Sequence, residues 1–197
     1  MSRQAQVERR TTETHVSLSL ELDGQGLADV QTGIGFFDHM LQLLTKHALW
    51  NLQVRATGDL HVDAHHTVED VGIALGQALA QALGDKTGIY RYGHAIVPMD
   101  ESLVTAAVDL SGRAFLVWQV PLPTTRLGDF DAELAQDFWQ AVVQHAAMNL
   151  HVMAHHGRNT HHLIEAVFKA CARALRHAGE IDPRQPGIPS TKGRLLG

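Results

Sequence analysis

Apolar positions along the chain switch repeatedly between a period of two and a period near 3.6. Val16, Leu18, Leu20 and Leu22 alternate with polar neighbours, so residues 7–22 read as a half-buried strand. Asp23-Gly24-Gln25-Gly26 is a turn sequence, and a second short strand runs on to Thr32. Gly33-Ile34-Gly35 breaks that pattern, and residues 36–44 read as an amphipathic helix ending near His47. Leu52, Val54, Leu60 and Val62 give strand character to residues 52–62. Residues 71–83 return to helical spacing, closed by Gly84 and Gly88. Residues 89–121 are strand-rich: 104–110 alternate, and Ser111-Gly112-Arg113 turns into 114–120. A linker over 121–129 leads to a helix over 132–148, a strand over 149–154 and a last helix over 166–177. Strands, helix, strands, helix therefore occurs twice, which predicts an α+β fold with the helices on one face of a sheet. The tail, 181–197, is rich in Pro and Gly and has no period. It suits either disorder or closure of the basic, hydroxyl-bearing Pro189-Ser190-Thr191-Lys192-Gly193 over an anion.

The repetition extends to the residues themselves. Glu69-Asp70-Val71-Gly72-Ile73-Ala74-Leu75 parallels Glu165-Ala166-Val167-Phe168-Lys169-Ala170-Cys171 at an offset of 96. His47-Ala48-Leu49-Trp50-Asn51-Leu52 parallels His145-Ala146-Ala147-Met148-Asn149-Leu150 at an offset of 98. The chain is an internal duplication, with half-repeats 1–92 and 93–180 followed by the tail.

Each half carries the string His-His-x-x-Glu at the start of a helix: His65, His66 and Glu69, then His161, His162 and Glu165. On a helix the first histidine and the glutamate share a face one turn apart, and the second histidine reaches the glutamate at i,i+3. Imidazole nitrogens and a carboxylate so grouped are metal ligands in type and spacing. A lone buried histidine is most often a hydrogen-bonded core residue, but two such strings in register point to metal. Adding 98 to His39 lands on Asp137, and each lies beside an aromatic pair, Phe36-Phe37 or Phe138-Trp139. His39 and Asp137 are therefore the next candidate ligands.

Composition narrows the remaining classes. A chain of 197 residues, 45% hydrophobic, is long enough to bury a core. Its net charge of −5 argues against non-specific nucleic-acid binding. No apolar run is long enough for a membrane span, and Met1-Ser2-Arg3-Gln4 does not begin a signal peptide. The single Cys171, within a helical run, reads as a packing residue in a reducing compartment, so a cytoplasmic location is expected.

Together these residues resemble the imidazoleglycerol-phosphate dehydratase family over nearly the whole chain. The resemblance rests on Arg10-Thr11-Thr12-Glu13-Thr14, Gly33-Ile34-Gly35-Phe36-Phe37-Asp38-His39-Met40, Asp63-Ala64-His65-His66-Thr67-Val68-Glu69-Asp70, Pro98-Met99-Asp100-Glu101, Gly157-Arg158-Asn159-Thr160-His161-His162-Leu163-Ile164-Glu165 and Ser190-Thr191-Lys192-Gly193. It implies two similar halves, each a four-stranded sheet with two helices, the helices sandwiched between the sheets. It implies a monofunctional hydro-lyase of histidine biosynthesis that converts D-erythro-imidazole glycerol phosphate to imidazole acetol phosphate. It further implies a large homo-oligomer, 24 subunits built from trimers, with two Mn²⁺ per active site held between subunits. The family's ligands carry over to His39, His65, His66, Glu69, His161, His162 and Glu165. Many members have histidine where this chain has Asp137, a carboxylate that suits Mn²⁺ and harder cations. Helix geometry would give His65 with Glu69 to one ion and His161 with Glu165 to the other, with His66 and His162 crossing over. Glu13 matches the family's proposed base, and Arg91, Arg113, Lys169, Ser190, Thr191 and Lys192 match its phosphate contacts.

The proton lost in such a dehydration sits beside a hydroxyl rather than a carbonyl, so a side-chain base alone is too weak to take it. Metal acting on the imidazole ring, favouring imidazolate, would let the adjacent hydroxyl leave and make the next C–H acidic. His94, His151, His155 and His156 stand outside the motifs, and helix-end capping accounts for His47 and His145. Two other classes share this ligand set. A binuclear metallohydrolase would need an activated water with an open line of attack, and a metal-storing shell would leave Glu13 and Lys192 unexplained.

Overall fold

Alternating residues 4–31 fold as three strands, because a threonine-rich turn interrupts them. In the computed structural model, which describes residues 3–123 and 125–195, β1 is Gln4–Arg10, β2 is Thr14–Glu21 and β3 is Leu27–Gln31. The single strand expected over 7–22 is thus a hairpin. The Thr11 hydroxyl accepts the N–H groups of Glu13 and Thr14, at 3.1 and 2.9 Å, and folds the chain back on itself. Helix α1 (Gly35–Ala48) follows, then β4 (Asn51–Gly58) and α2 (His65–Leu83). Leu60 and Val62 fall outside β4. Both are exposed, and the Val62 N–H closes a turn on the Asp59 carbonyl at 2.7 Å.

The second half repeats the order as β5 (Tyr92–Met99), β6 (Ser102–Asp109), β7 (Phe115–Gln119), α3 (Leu134–Ala146), β10 (Asn149–His156) and α4 (Thr160–Gly179). Its linker holds a small hairpin, β8 (Arg126–Leu127) with β9 (Phe130–Asp131), too short to show as alternation. Phe130 is fully buried there, its ring 5.2 Å from Phe36 and 6.2 Å from Phe37. The sheets are ordered β1-β2-β4-β3 and β5-β6-β10-β7, the same topology twice. In each, the third strand lies parallel to the last, with α1 or α3 as the crossover.

Helix α2 packs on β1, β2 and β4, and α4 on β5, β6 and β10. The two layers then meet crosswise, α2 against α3 and α1 against α4, so all four helices lie between the sheets. Phe37, Met40, Leu41, Phe138, Trp139 and Phe168 fill that space, each almost wholly buried. Cys171 is buried among them, and burial pushes its thiol well above the usual range, as expected of an inert packing residue. The duplication also shows in backbone conformation. Leu49 and Ala147, 98 residues apart, end α1 and α3 in the left-handed region, at φ 56° and 50°. No helix among the described residues is long and apolar enough to cross a membrane.

Gly72 and Gly76 set how closely α2 approaches α3. A Cβ at Gly76 would stand 2.7 Å from the Val142 carbonyl oxygen and 3.0 Å from the Ala146 nitrogen, both rigid backbone atoms. Alanine is the better helix former by about 1 kcal/mol, but overpacking a filled interface costs about 1–3 kcal/mol. Gly76→Ala is expected to lower stability despite the helix preference, read as a fall in the thermal midpoint; an unchanged or higher midpoint would show that the interface yields.

Candidate active site

Thr11 to Thr14, which composition alone would leave as a solvated strand end, is tied to helix α2. Asp70, buried just after Glu69, accepts the Arg9 Nε–H at 2.8 Å, and the Thr14 hydroxyl donates to its other oxygen. A carboxylate with two such donors is well compensated for burial. The clamp holds the hairpin turn, and Glu13 with it, over the first turn of α2.

Both His-His-x-x-Glu strings start from the same local device. Asp63 Oδ1 accepts the His65 N–H at 2.8 Å, and Asn159 Oδ1 accepts the His161 N–H at 2.9 Å. These residues are 96 apart, and each satisfies an otherwise free N–H where its helix begins. Asp38 steadies α1 in a related way, accepting the N–H and hydroxyl of Thr32 at 2.9 and 2.6 Å.

Because α1 packs on α4 and α3 on α2, each string meets the lone candidate ligand of the other half. His39, His161 and Glu165 offer ligand atoms that all lie within 4.8 Å of one another. His161 Nε2 is 3.3 Å from Glu165 Oε2, and the Phe36 ring supports His161 edge-on at 5.2 Å. In the corresponding place His65 Nδ1 is 3.7 Å from Asp137 Oδ2, and Glu69 lines the same recess. Asp137 therefore stands where the duplication puts it, opposite His65. Burial pushes the Glu165 carboxyl upward, but the Lys169 ammonium, 2.8 Å away, outweighs this and holds it below its ordinary value. Glu165 is thus ionised at neutral pH and able to ligate. A set of imidazoles and carboxylates at this spacing fits a hard or borderline divalent ion such as Mn²⁺.

His66 and His162 turn away from those groups, each toward a carboxylate. His66 Nδ1 lies 3.0 Å from Asp59 Oδ2 and 3.7 Å from Glu13 Oε2. His162 Nδ1 lies 2.8 Å from Glu101 Oε2. Hydrogen bonds to Asp59 and Glu101 raise both histidines above their ordinary range, and the same bonds lower both carboxyls. Neither Asp59 nor Glu101 is among the site residues that the sequence suggests. Glu101 carries two signals there, its place in the Pro98-Met99-Asp100-Glu101 motif and its position 88 residues beyond Glu13 at the same point of the hairpin, and Asp59 carries none.

The expected phosphate contacts are dispersed. Arg91 holds Asp109 through Nε at 2.7 Å and donates from Nη1 to the Pro189 carbonyl at 2.9 Å. That bond, with the Gly88 N–H on the Gly187 carbonyl at 3.0 Å, lays the tail along the segment before β5. Ser190 Oγ accepts the Lys192 N–H at 3.2 Å, while the Thr191 and Lys192 side chains face solvent. Arg113 is exposed in the β6–β7 turn, and Lys169 sits beside Glu165. The Arg91 N–H bonds Ala178 near the end of α4, nine residues beyond Lys169. That is about 13 Å of helix rise between the two backbone positions.

The chain is thus a duplicated sandwich that gathers one histidine–carboxylate group where α1 meets α4 and another where α2 meets α3, with Glu13 held beside His66, an arrangement suited to a metal-dependent enzyme. The family model described as imidazoleglycerol-phosphate dehydratase matches residues 32–175. Relatives of that name from a Ruegeria species and from Granulibacter bethesdensis are 59% and 60% identical, covering 98% and 99% of this chain and all of their own length. The crystal structure of the Staphylococcus aureus imidazoleglycerol-phosphate dehydratase superposes with a TM-score of 0.83 at 40% identity, over 91% of this chain and 99% of that one. A Pyrococcus furiosus structure gives 0.80 at 32% identity, over 96% and 100%. The chain belongs to the imidazoleglycerol-phosphate dehydratase family, and its role is that of a dehydratase in histidine biosynthesis.

In metal-free protein the two histidine–carboxylate pairs should contribute to stability in a defined pH window. The raised histidines contribute fully below the ordinary value, about 6.5, and lose the contribution as pH rises through their folded values. The lowered carboxyls contribute above about 4, a contribution lost as pH falls through their depressed folded values. The midpoint gap between metal-stripped wild type and Glu101→Gln should therefore be wider at pH 6 than at pH 8.5. A gap independent of pH would contradict the pairing.

Proposed function

We propose that the chain dehydrates D-erythro-imidazole glycerol phosphate to imidazole acetol phosphate at a di-manganese centre completed between subunits. The observation that carries this reading is the exchange of ligands across the duplication, His39 with His161 and Glu165, and Asp137 with His65 and Glu69. His66 and His162 face away from these groups, where they are available to a neighbouring subunit. When bound, Mn²⁺ supplies Lewis acidity to the substrate ring, which makes loss of the adjacent hydroxyl feasible.

The residues of the chain do the rest. Glu13, half exposed at the hairpin turn and fixed by the Asp70 clamp, takes the proton from the second side-chain carbon. The hydroxyl on the ring-adjacent carbon leaves as water, and the resulting enol is protonated at that same carbon to give the ketone. Lys169, Arg91, Arg113 and Lys192 supply cations for the phosphate, and Ser190 and Thr191 supply hydroxyls. The outer face of the second sheet supports a site shared between chains. Ile96, Thr105 and Met153 form one cross-strand row there, and Tyr92, Asp109, Asn149 and Phe115 another, with Tyr92, Ile96, Phe115 and Met153 exposed. Apolar groups grouped on a surface suit burial in a homo-oligomer, for which 24 subunits built from trimers is our proposal. We place the enzyme in the cytoplasm, where the reducing environment suits a lone buried thiol.

Two experiments test this. Stripping metal with a chelator should abolish turnover, and Mn²⁺ should restore formation of imidazole acetol phosphate. Release of inorganic phosphate from the same substrate would instead indicate a metallohydrolase. Glu13→Gln should keep metal and substrate binding and lose about 10²–10⁴-fold in kcat. Undiminished turnover by that variant would remove Glu13 as the base.

A further inference from the structure

Glu13 and Glu101 occupy one position of the duplication, yet their surroundings differ. They are 88 residues apart, and the strand registers agree, with Arg10 opposite His15 and Pro98 opposite Leu103. Each glutamate precedes the second strand of its hairpin and lies beside the second histidine of a His-His-x-x-Glu string. In the second half the contact is a hydrogen bond, 2.8 Å from Glu101 Oε2 to His162 Nδ1. In the first half Glu13 stops 3.7 Å short of His66 Nδ1, beyond hydrogen-bond distance. Asp59 takes the bond instead, at 3.0 Å.

Asp59 follows β4 directly, as Gly157 follows β10, 98 residues on. The second half has no room for a side chain there. A Cβ at Gly157 would lie 2.4 Å from Leu163 Cδ2 and 2.6 Å from Ser102 Oγ. The carboxylate that His162 meets comes instead from the hairpin, from Glu101. Its other oxygen accepts the N–H groups of Arg158 and Asn159, at 3.2 and 2.9 Å, bracing the loop that leads into α4.

We propose that Asp59 and Glu101 are positioning residues with one task, holding the Nδ1–H of His66 and His162 so that Nε2 is the lone pair offered to metal. By taking that task from the hairpin position, Asp59 leaves Glu13 free for proton transfer. A carboxylate only accepts, so a histidine bound to it through Nδ1 carries its proton there. Carboxylate partners of this kind fix the tautomer and ring orientation of metal-ligating histidines. The inference rests on the metal-binding reading given under Proposed function.

Glu101→Gln is an informative variant because the loop N–H groups keep its carbonyl oxygen in place. Its amide NH₂ then faces His162 Nδ1 as a donor, which drives the proton to Nε2 and blocks that nitrogen as a ligand. Mn²⁺ affinity of the full-length assembled protein, measured by competition with a calibrated chelator, should fall about 10–100-fold in Glu101→Gln. Asp59→Asn should also weaken binding, while Glu13→Gln should bind Mn²⁺ as wild type does. Nitrogen NMR of histidine-labelled protein should show His162 change tautomer in Glu101→Gln, a shift that general loosening of the loop would not produce. Wild-type affinity in Glu101→Gln, or an equal loss in Glu13→Gln, would overturn the assignment while leaving the metal reading intact. A wild-type protein that takes up no Mn²⁺ would overturn that reading and this one with it.

Discussion

Each sheet is covered by the two helices of its own half, and the far faces of those helices are buried by the crosswise packing of α2 on α3 and α1 on α4. The same packing assembles the site. A ligand on α1 can meet only the helix that α1 touches, which belongs to the other half. The groups around His39 and around Asp137 are therefore products of the contact between halves, whereas Glu13, Asp59 and His66 come together within the first half. Gly72 and Gly76, with backbone of α3 close against them, set the distance over which Asp137 and His65 face each other.

Electrostatics then divides the work within each half. Asp70 is buried with two donors and fixes the first hairpin against α2. Its counterpart at the 96-residue offset is Ala166, so the second hairpin has no such clamp. There Glu101 ties hairpin, loop and His162 together instead. A duplicated scaffold has thus been given two different fastenings. One leaves Glu13 open beside His66, and the other engages Glu101 fully.

The departure at Asp137 fits the same logic. A carboxylate is shorter than an imidazole, yet His65 approaches it to 3.7 Å because α2 and α3 are closely packed. With Glu69 alongside, that group has one histidine and two carboxylates, against two histidines and one carboxylate around His39. The two groups therefore differ in donor chemistry, one richer in oxygen and the other in nitrogen.

The duplication and the two His-His-x-x-Glu strings are legible in the chain alone, because helix and strand periods and residue spacing are local properties. The 98-residue offset likewise pairs His39 with Asp137. Local pattern misread 7–22 as one strand, since a three-residue turn held by the Thr11 hydroxyl does not interrupt alternation long enough to show. Alternation likewise promoted Leu60 and Val62 to a strand, though no neighbouring strand is there to pair with them. Which ligand meets which helix, and why Glu13 is open while Glu101 is not, depends on contacts between residues dozens of positions apart. Those contacts arise only when the sheets close over the helices, which brings Asp59 beside His66 and crowds Gly157 against Leu163 and Ser102.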